Sequence, residues 1–160
     1  MKDLLFKTDD FIFSYRVGGI LIHEGKVLLQ KSKNDDYAII GGHVSALETT
    51  QETLIREYEE ELHTKIEIDH LMAIGEIFFW WSNRICHQIC FYYKINLLDK
   101  NIPLSGSFQG YDELDQVRMD LDFIWVPLET LNHIKLYPKG IPSIILENKQ
   151  EVVHFISQQL

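Results

Sequence analysis

The stretch that decides the fold of this chain runs from Gly41 to Leu62 and reads GGHVSALETTQETLIREYEEEL. Its two glycines follow the apolar pair Ile39-Ile40. Because glycine tolerates backbone conformations that other residues avoid, we predict that a strand ends here in a turn. A polar loop follows, and the composition then changes to that of a helix.

The start of this helix is predicted by a capping-box pattern, in which Glu52 stands three residues after Thr49. Ser45 with Glu48 offers a second, less favoured start. From there the apolar residues recur with a period of 3.6 and predict a stripe that faces the core. The stripe consists of Leu54, Ile55, Tyr58 and Leu62.

Three glutamates share another side of the predicted helix. Glu57, Glu60 and Glu61 are spaced i, i+3 and i+4, which places their carboxylates on one turn. Each close pair of like charges costs about 0.2–0.5 kcal/mol on an isolated helix. A divalent cation would turn this repulsion into a binding site, and oxygen ligands of this kind suit Mg²⁺ or Mn²⁺. The alternative interpretation is an acidic helix face that is merely solvated.

The spacing of the restrictive residues resembles the signature of the Nudix hydrolases. Gly42 is followed after five residues by Glu48 and after seven more by Arg56-Glu57-Tyr58-Glu59-Glu60-Glu61. The chain departs from the family pattern where the family has small or aliphatic residues, at Leu47, Tyr58, His63 and Thr64. In the family none of these positions carries a metal ligand, so the departures concern the geometry of the loop and the helix end.

The resemblance implies a role for each residue of the signature. Glu57, Glu60 and Glu61 would bind Mg²⁺ or Mn²⁺, and the carbonyl of Gly42 would complete the ligand set. Glu60 is either a ligand or the general base that takes the proton of the attacking water. Arg56 would orient Glu48, and both are expected to belong to the catalytic group with Glu60. An ordinary ion pair on the helix surface is the alternative for Arg56.

The general base is the least determined of these roles, because in this family it sometimes lies outside the signature. Glu113, flanked by Asp112 and Asp115, and Glu76 are the alternatives to Glu60. For the substrate we name two sets of candidates. The residues that could contact phosphate are Arg16, Arg84, Lys31 and Lys33, and those that could stack on a base are Trp80, Trp81, Phe79 and Tyr37.

Nudix enzymes characteristically hydrolyse a diphosphate linkage in a nucleoside diphosphate joined to another group. The resemblance therefore implies hydrolysis of a substrate such as ADP-ribose, a related nucleotide sugar or a nucleoside triphosphate. A Nudix domain that binds such a metabolite without catalysis is the alternative. A prenyl diphosphate isomerase would need a reactive cysteine in the site, and Cys86 and Cys90 lie in a predicted strand instead.

The charge of the chain restricts its partners. Fifteen Lys and Arg against 24 Asp and Glu give a net charge of −9. A chain this acidic is a poor general binder of nucleic acid or of an anionic membrane, so we expect a nucleotide-type small molecule as partner and consider a homodimer possible. No apolar run approaches a membrane span, and the N-terminus is too charged for a signal peptide. We expect a cytoplasmic protein in which the two cysteines are buried free thiols.

The rest of the chain predicts one domain, residues 1–160, of α+β or mixed α/β class. Strands are predicted over Phe11–Ile22, Val27–Gln30, Tyr37–Ile40, Ile66–Trp81 with a bulge or bend at Gly75, Ile85–Leu98 and Leu121–Val126. Residues 99–118 are predicted to form an extended loop. A last helix is expected within Pro138–Asn148, followed by a strand or tail. The family resemblance implies an α/β/α sandwich with a mixed β-sheet.

Overall fold

The computed structural model describes residues 2–114 and 117–160, with side chains described outside 111–119. Its helices are α1 (Thr50–Leu62), α2 (Ile141–Glu147) and a 3₁₀ helix, Leu128–His133. Its strands are β1 (Leu5–Lys7), β2 (Phe11–His23), β3 (Lys26–Lys31), β4 (Asp36–His43), β5 (Ile66–Trp81), β6 (Arg84–Leu97), β7 (Ser107–Leu114), β8 (Val117–Pro127), β9 (Lys135–Tyr137) and β10 (Val153–Gln159).

The strands form one mixed sheet in the order β10-β5-β6-β2-β4-β3-β8-β7, with β1 added to β2 and β9 added to β4. β2 with β6, β5 with β10 and β4 with β9 are parallel pairs, and the sequential hairpins are antiparallel. Two of these hairpins close through two-residue turns with positive φ, at Glu24-Gly25 and at Ser82-Asn83. Such turns match the twist of the strands, and both lie in gaps between strands that the sequence predicts.

The helices cover opposite faces of the sheet. Alternate residues of β2 point to opposite sides, so Val17 and Leu21 join the core beneath α1, whereas Ile20 joins the core beneath α2. Tyr58 of α1 and Ile141 of α2 are fully buried in these two cores. This arrangement confirms the predicted mixed α/β class and α/β/α sandwich.

The start of α1 and most of its stripe follow the prediction. Thr49 is the N-cap, and its side chain accepts a hydrogen bond from the backbone N–H of Glu52. Leu54 and Tyr58 are fully buried, but Ile55 is only partly buried at the margin of the core. The core-facing stripe is therefore centred on Leu54, Tyr58 and Leu62.

The turn predicted at Gly41-Gly42 is wrong. Both residues lie inside β4, and neither has a positive φ. They are glycines because of close packing: a Cβ on Gly41 would lie 1.9 Å from the carbonyl oxygen of Val17. The bulge predicted at Gly75 is also absent, since the register of β5 shifts near Asp69 and Met72 instead. Gly75 makes room for the ring of Phe155, which would lie 2.6 Å from a Cβ there.

The loop predicted over 99–118 is wrong in its second half. Residues 107–114 form β7, which pairs with β8 alone at the end of the sheet. An edge strand is partly exposed and has no need of a continuous apolar sequence, which is why composition concealed it. At the other edge, the predicted C-terminal strand is present as β10, parallel to β5.

Leu54 is fully buried and Ile55 only partly, so truncation of the two side chains should change the free energy of unfolding by different amounts. Leu54→Ala should lower the free energy of unfolding by about 2–5 kcal/mol, because it leaves a cavity in a closed core. Ile55→Ala should cost clearly less, because the space it leaves is open to solvent on one side. Urea unfolding of both variants measures the difference, and equal losses would contradict this placement of the helix.

Candidate active site

The loop that leads from β4 into α1 is held in a defined shape by backbone geometry. Leu47 has a φ of 70° and a fully exposed side chain, and His63 at the C-cap of α1 has a φ of 54°. Both are left-handed conformations, which cost a residue with a side chain about 1–2 kcal/mol. They stand at two positions where the Nudix signature has glycine. The chain therefore keeps the backbone geometry that the pattern requires despite the substitutions.

Arg56 and Glu48 form the central contact of the site. Nε of Arg56 donates to Oε2 of Glu48 at 3.1 Å, and Nη2 donates to Oε1 at 2.9 Å. The hydroxyl of Thr53 donates to the same Oε1 at 2.9 Å, and Nη2 also donates to the hydroxyl of Ser45 at 3.0 Å. The side chain of Glu48 is only 12% exposed. The hydrogen bond from Arg56 lowers the pKa of Glu48, and the bond from Thr53 acts in the same direction.

The same guanidinium also reaches the acidic turn of the helix. Nη1 of Arg56 donates to Oε1 of Glu57 and to Oε2 of Glu60, each at 3.2 Å. Hydrogen bonding to Glu48 and the nearby charges of Glu57 and Glu60 raise the pKa of Arg56. One guanidinium thus relieves the repulsion among three carboxylates, and it links the loop to the helix as the resemblance implies for Arg56 and Glu48.

The three glutamates of the acidic turn differ in exposure. The side chain of Glu60 is 54% exposed and that of Glu57 15%, while Glu61 is buried at 7%. Glu61 lies near Tyr58. The burial of Tyr58 is the main cause that raises the pKa of its hydroxyl, and the negative charge of Glu61 raises this pKa further. Only Glu60 is therefore readily accessible to solvent, which differs from the uniformly solvated acidic face of the alternative interpretation.

Gly42 lies directly against Glu57. A Cβ on Gly42 would be 2.5 Å from the carboxyl carbon of Glu57, so glycine is required for the carboxylate to pack onto β4. Among the described residues, no group of three or more acidic, histidine or cysteine side chains is arranged as a ready cation site. Nη1 of Arg56 occupies the space between Glu57 and Glu60 instead. The donors nevertheless fit a hard divalent cation, because they are carboxylates beside a glycine cradle.

The alternative bases have different surroundings. Glu76 is bonded to His154, with 2.7 Å between Oε2 and Nε2, on the exposed face of the β5–β10 pair. Glu113 belongs to β7, but its side chain lies outside the described residues. Glu60 is the candidate that the structure brings together with Glu48, Arg56 and Glu57.

A cavity of about 440 Å³ opens on the face of the sheet opposite α1. Arg16 lines it and is paired in register with His43, the neighbour of Gly42. The ring of His43 stacks on that of Trp81 with 6.3 Å between centroids. The burial of His43 is the main cause that lowers its pKa to about 4, and the positive charge of Arg16 acts in the same direction. The imidazole is therefore neutral near pH 7.

The residues that the sequence suggested for substrate binding do not lie in one cavity. Arg16, Phe79, Trp80 and Trp81 line the cavity. Lys31 and Lys33 line another cavity, Arg84 donates to the carbonyl of Thr8 at 2.7 Å, and Tyr37 packs against the core beneath α2. The sequence did not single out Gln88, Tyr92 and Tyr137, which also line the first cavity. Strand alternation from Gln88 to Tyr92 is the signal that could have placed the first two on one face.

Glu48 should give the protein an acid-dependent loss of stability. Its pKa is lowered on folding, so its contribution is complete above the unfolded value of about 4.3 and is lost as the pH falls. Glu48→Gln should therefore cost about 1–3 kcal/mol at pH 7, and the difference from wild type should shrink toward pH 3. Urea unfolding between these pH values measures it. Glu59→Gln, an exposed neighbour on α1, is the control, and a Glu48→Gln difference that is constant with pH would contradict the assignment.

The family model described as the NUDIX domain matches residues 13–145. None of the curated proteins matches the chain significantly in sequence. No helix in the described part of the chain is long and apolar enough to cross a membrane.

Solved structures share the fold at low sequence identity. A NUDIX hydrolase from Nitrosomonas europaea is 18% identical with a TM-score of 0.61, covering 91% of this chain and 79% of its own. An ADP-ribose pyrophosphatase from Streptococcus suis is 14% identical with a TM-score of 0.58, and the match covers 89% of this chain and 98% of the Streptococcus chain. The MutT protein from Bacillus halodurans is 16% identical with a TM-score of 0.57, and the match covers 89% of this chain and 90% of the Bacillus chain. These likenesses show the fold, and the family match over most of the chain shows its membership: this chain belongs to the NUDIX domain family and is a Nudix-type hydrolase.

Proposed function

We propose that this protein hydrolyses a diphosphate linkage in a nucleoside diphosphate derivative, with Mg²⁺ or Mn²⁺ as cofactor. The observation that carries the proposal is the contact of Arg56 with Glu48, Glu57 and Glu60, beside the glycine against which Glu57 packs. Phosphoryl chemistry needs positioning and charge neutralisation more than it needs a reactive side chain. A rigid group of carboxylates can supply the positioning, and the cation that it holds would supply the charge neutralisation.

Glu57 and Glu61, with the carbonyl of Gly42, would hold the cation. Glu60 beside them is assigned the role of general base. When bound, the cation would act as a Lewis acid on the diphosphate oxygens and lower the pKa of the attacking water. Glu48 and Arg56 would orient the carboxylates of the acidic turn. Arg56 keeps Glu48 ionised through its paired hydrogen bonds, and it can leave Glu57 and Glu60 while remaining bonded to Glu48.

In the proposed reaction, water attacks one phosphorus of the diphosphate. A new P–O bond forms, the bond to the bridging oxygen breaks, and the proton of the water passes to the carboxylate of Glu60. The position of Glu60 on α1 beside Glu57 and Arg56 favours it over Glu76, which is paired with His154 on the β5–β10 pair. The bridging oxygen departs with the second phosphate.

The cavity on the other side of β2 and β4 is proposed to take the nucleoside part of the substrate. Its size of about 440 Å³ is that of a small-molecule pocket. Trp80, Trp81 and Phe79 offer aromatic surfaces for a base, and Arg16 offers a cation for phosphate. ADP-ribose is the substrate we favour, in line with the name of the Streptococcus structure, and nucleoside triphosphates are the second candidate. The buried free thiols support a reducing, cytoplasmic location.

The cation assignment predicts that activity requires a divalent metal. Against a panel of nucleotide sugars and nucleoside triphosphates, wild type should release phosphorylated products with Mg²⁺ or Mn²⁺ and none in excess chelator. Glu57→Gln and Glu61→Gln should remove most of the turnover while the thermal midpoint changes little. Glu59→Gln is the matched control, because Glu59 is an exposed residue on the same helix and is expected to keep full activity.

Two outcomes would contradict this assignment. Full activity in chelator would exclude the cation, and a Glu57→Gln enzyme as active as Glu59→Gln would exclude its proposed ligand. Tight binding of a panel compound without any turnover would favour the non-catalytic alternative instead.

The base assignment predicts a separate effect. At saturating metal, Glu60→Gln should lower kcat about 10²–10⁴-fold while the KM for substrate stays nearly constant, as expected for the loss of a general base. Glu76→Gln should leave kcat unchanged. If Glu113→Gln shows the large loss of kcat and Glu60→Gln mainly weakens metal binding, the base lies on β7 and the assignment to Glu60 is wrong.

A further inference from the structure

The first described residues of the chain, 2–4, lie along the loop that leads from β4 into α1. We call these residues the N-terminal arm. Asp3 in the arm and Ser45 in the loop face each other in an antiparallel bridge. Two backbone hydrogen bonds flank this bridge, from the N–H of Leu4 to the carbonyl of Val44 at 2.8 Å and from the N–H of Ala46 to the carbonyl of Lys2 at 2.7 Å. The backbone therefore fixes Asp3 beside Ser45.

The side chain of Asp3 is connected to Arg56 through the hydroxyl of Ser45. Nη2 of Arg56 donates to this hydroxyl at 3.0 Å, and the hydroxyl donates to Oδ1 of Asp3 at 3.4 Å. A serine hydroxyl has one proton and two lone pairs. Because Ser45 gives its proton to Asp3, it can turn a lone pair toward Arg56. Ser45 is buried, whereas Asp3 is exposed at the surface.

The guanidinium of Arg56 has partners on two sides. Nη1 is bonded to Glu57 and Glu60 in the acidic turn, and Nη2 is bonded to Glu48 and Ser45 in the loop. A cation held by Glu57 would require Nη1 to leave the acidic turn. The loop partners are the contacts that retain Arg56 when it does. A stronger hold on the loop side therefore favours the arrangement that can accept a cation.

Asp3 lies outside the part of the chain that the family shares. The family model matches residues 13–145, which begins after the N-terminal arm. The signature residue Glu48 contacts Arg56 directly, and the arm adds a second carboxylate to the same guanidinium through Ser45. The arm is therefore an element that this chain adds to the site from outside the matched region.

We propose that Asp3 is a positioning residue for cation binding. Through Ser45 it holds Arg56 on the loop side of the site and so leaves the acidic turn to the cation. This inference rests on the proposed function, because it takes the cation site at Glu57 from there.

A plain electrostatic effect is the alternative role of Asp3. Any acid near the site attracts cations through its charge, whichever side chain it contacts. The substitution Asp3→Asn separates the two roles, since it removes the charge but keeps an oxygen that can accept the proton of Ser45. Asp3→Ala removes both the charge and the acceptor.

Mn²⁺ binding to the full chain, followed by the electron paramagnetic resonance signal of the free ion, tests the inference without turnover. Asp3→Ala should weaken binding about 3- to 10-fold, as expected for the loss of one hydrogen bond. Asp3→Asn should bind like wild type. Asp9→Ala is the matched control, because Asp9 is an exposed acid in the turn between β1 and β2. It should also bind like wild type.

A double-mutant cycle shows whether Asp3 acts through Ser45. Ser45→Ala should weaken Mn²⁺ binding as well, and Asp3→Ala combined with Ser45→Ala should bind no more weakly than Ser45→Ala alone, because both changes break the same connection. Thermal midpoints establish that each variant is folded. In the hydrolysis assay, Asp3→Ala should need about 3- to 10-fold more Mn²⁺ for half-maximal activity, while kcat at saturating Mn²⁺ stays near the wild-type value.

Three results would overturn this inference and leave the proposed function intact. The first is Asp3→Ala that binds Mn²⁺ as tightly as Asp9→Ala. The second is Asp3→Asn as weak as Asp3→Ala, since charge and not the bond to Ser45 would then be responsible. The third is additive losses in the double variant. A wild type that neither binds Mn²⁺ nor hydrolyses any compound of the panel would overturn the proposed function, and this inference with it.

Discussion

The arrangement of this site depends on the paired hydrogen bonds between Arg56 and Glu48. Glu48 comes from the loop after β4 and Arg56 from α1, so their contact fixes the loop relative to the helix. The same guanidinium compensates Glu57 and Glu60, which would otherwise repel each other on one turn. Because Gly42 has no side chain, Glu57 can pack on β4 at the same time. Residues of β4, the following loop and α1, all within positions 42–60, thereby hold these carboxylates together.

The central part of the sheet separates two roles through the alternation of its side chains. On β2, Val17 and Leu21 face the core beneath α1, while Arg16 faces the cavity on the other side. A strand of 13 residues is thus long enough to contribute to a core on one face and to a cavity on the other.

Much of the site was predictable because its signals are local. The capping of α1 by Thr49 follows from the capping-box pattern, and the contact of Arg56 with Glu60 follows from helical spacing. The turn at Gly41 was predicted wrongly because a glycine can indicate either a turn or close packing of the backbone. The close contact of Gly41 with Val17 joins residues distant in sequence and is not visible in the local pattern. β7 was missed because its pairing with β8, and not its own composition, makes it a strand. The cavity could not be predicted because it needs the parallel pairing of β2 with β6.

We propose that the carboxylates ordered by Arg56 bind a divalent cation. A crystal structure determined with Mn²⁺, using the anomalous signal of the metal, tests it most directly. We expect an anomalous peak beside the carboxylates of Glu57 and Glu61 and near the carbonyl of Gly42, with Arg56 still bonded to Glu48 but withdrawn from Glu57 or Glu60. A structure at saturating Mn²⁺ with no peak at these residues, and with Arg56 still between Glu57 and Glu60, would contradict the account.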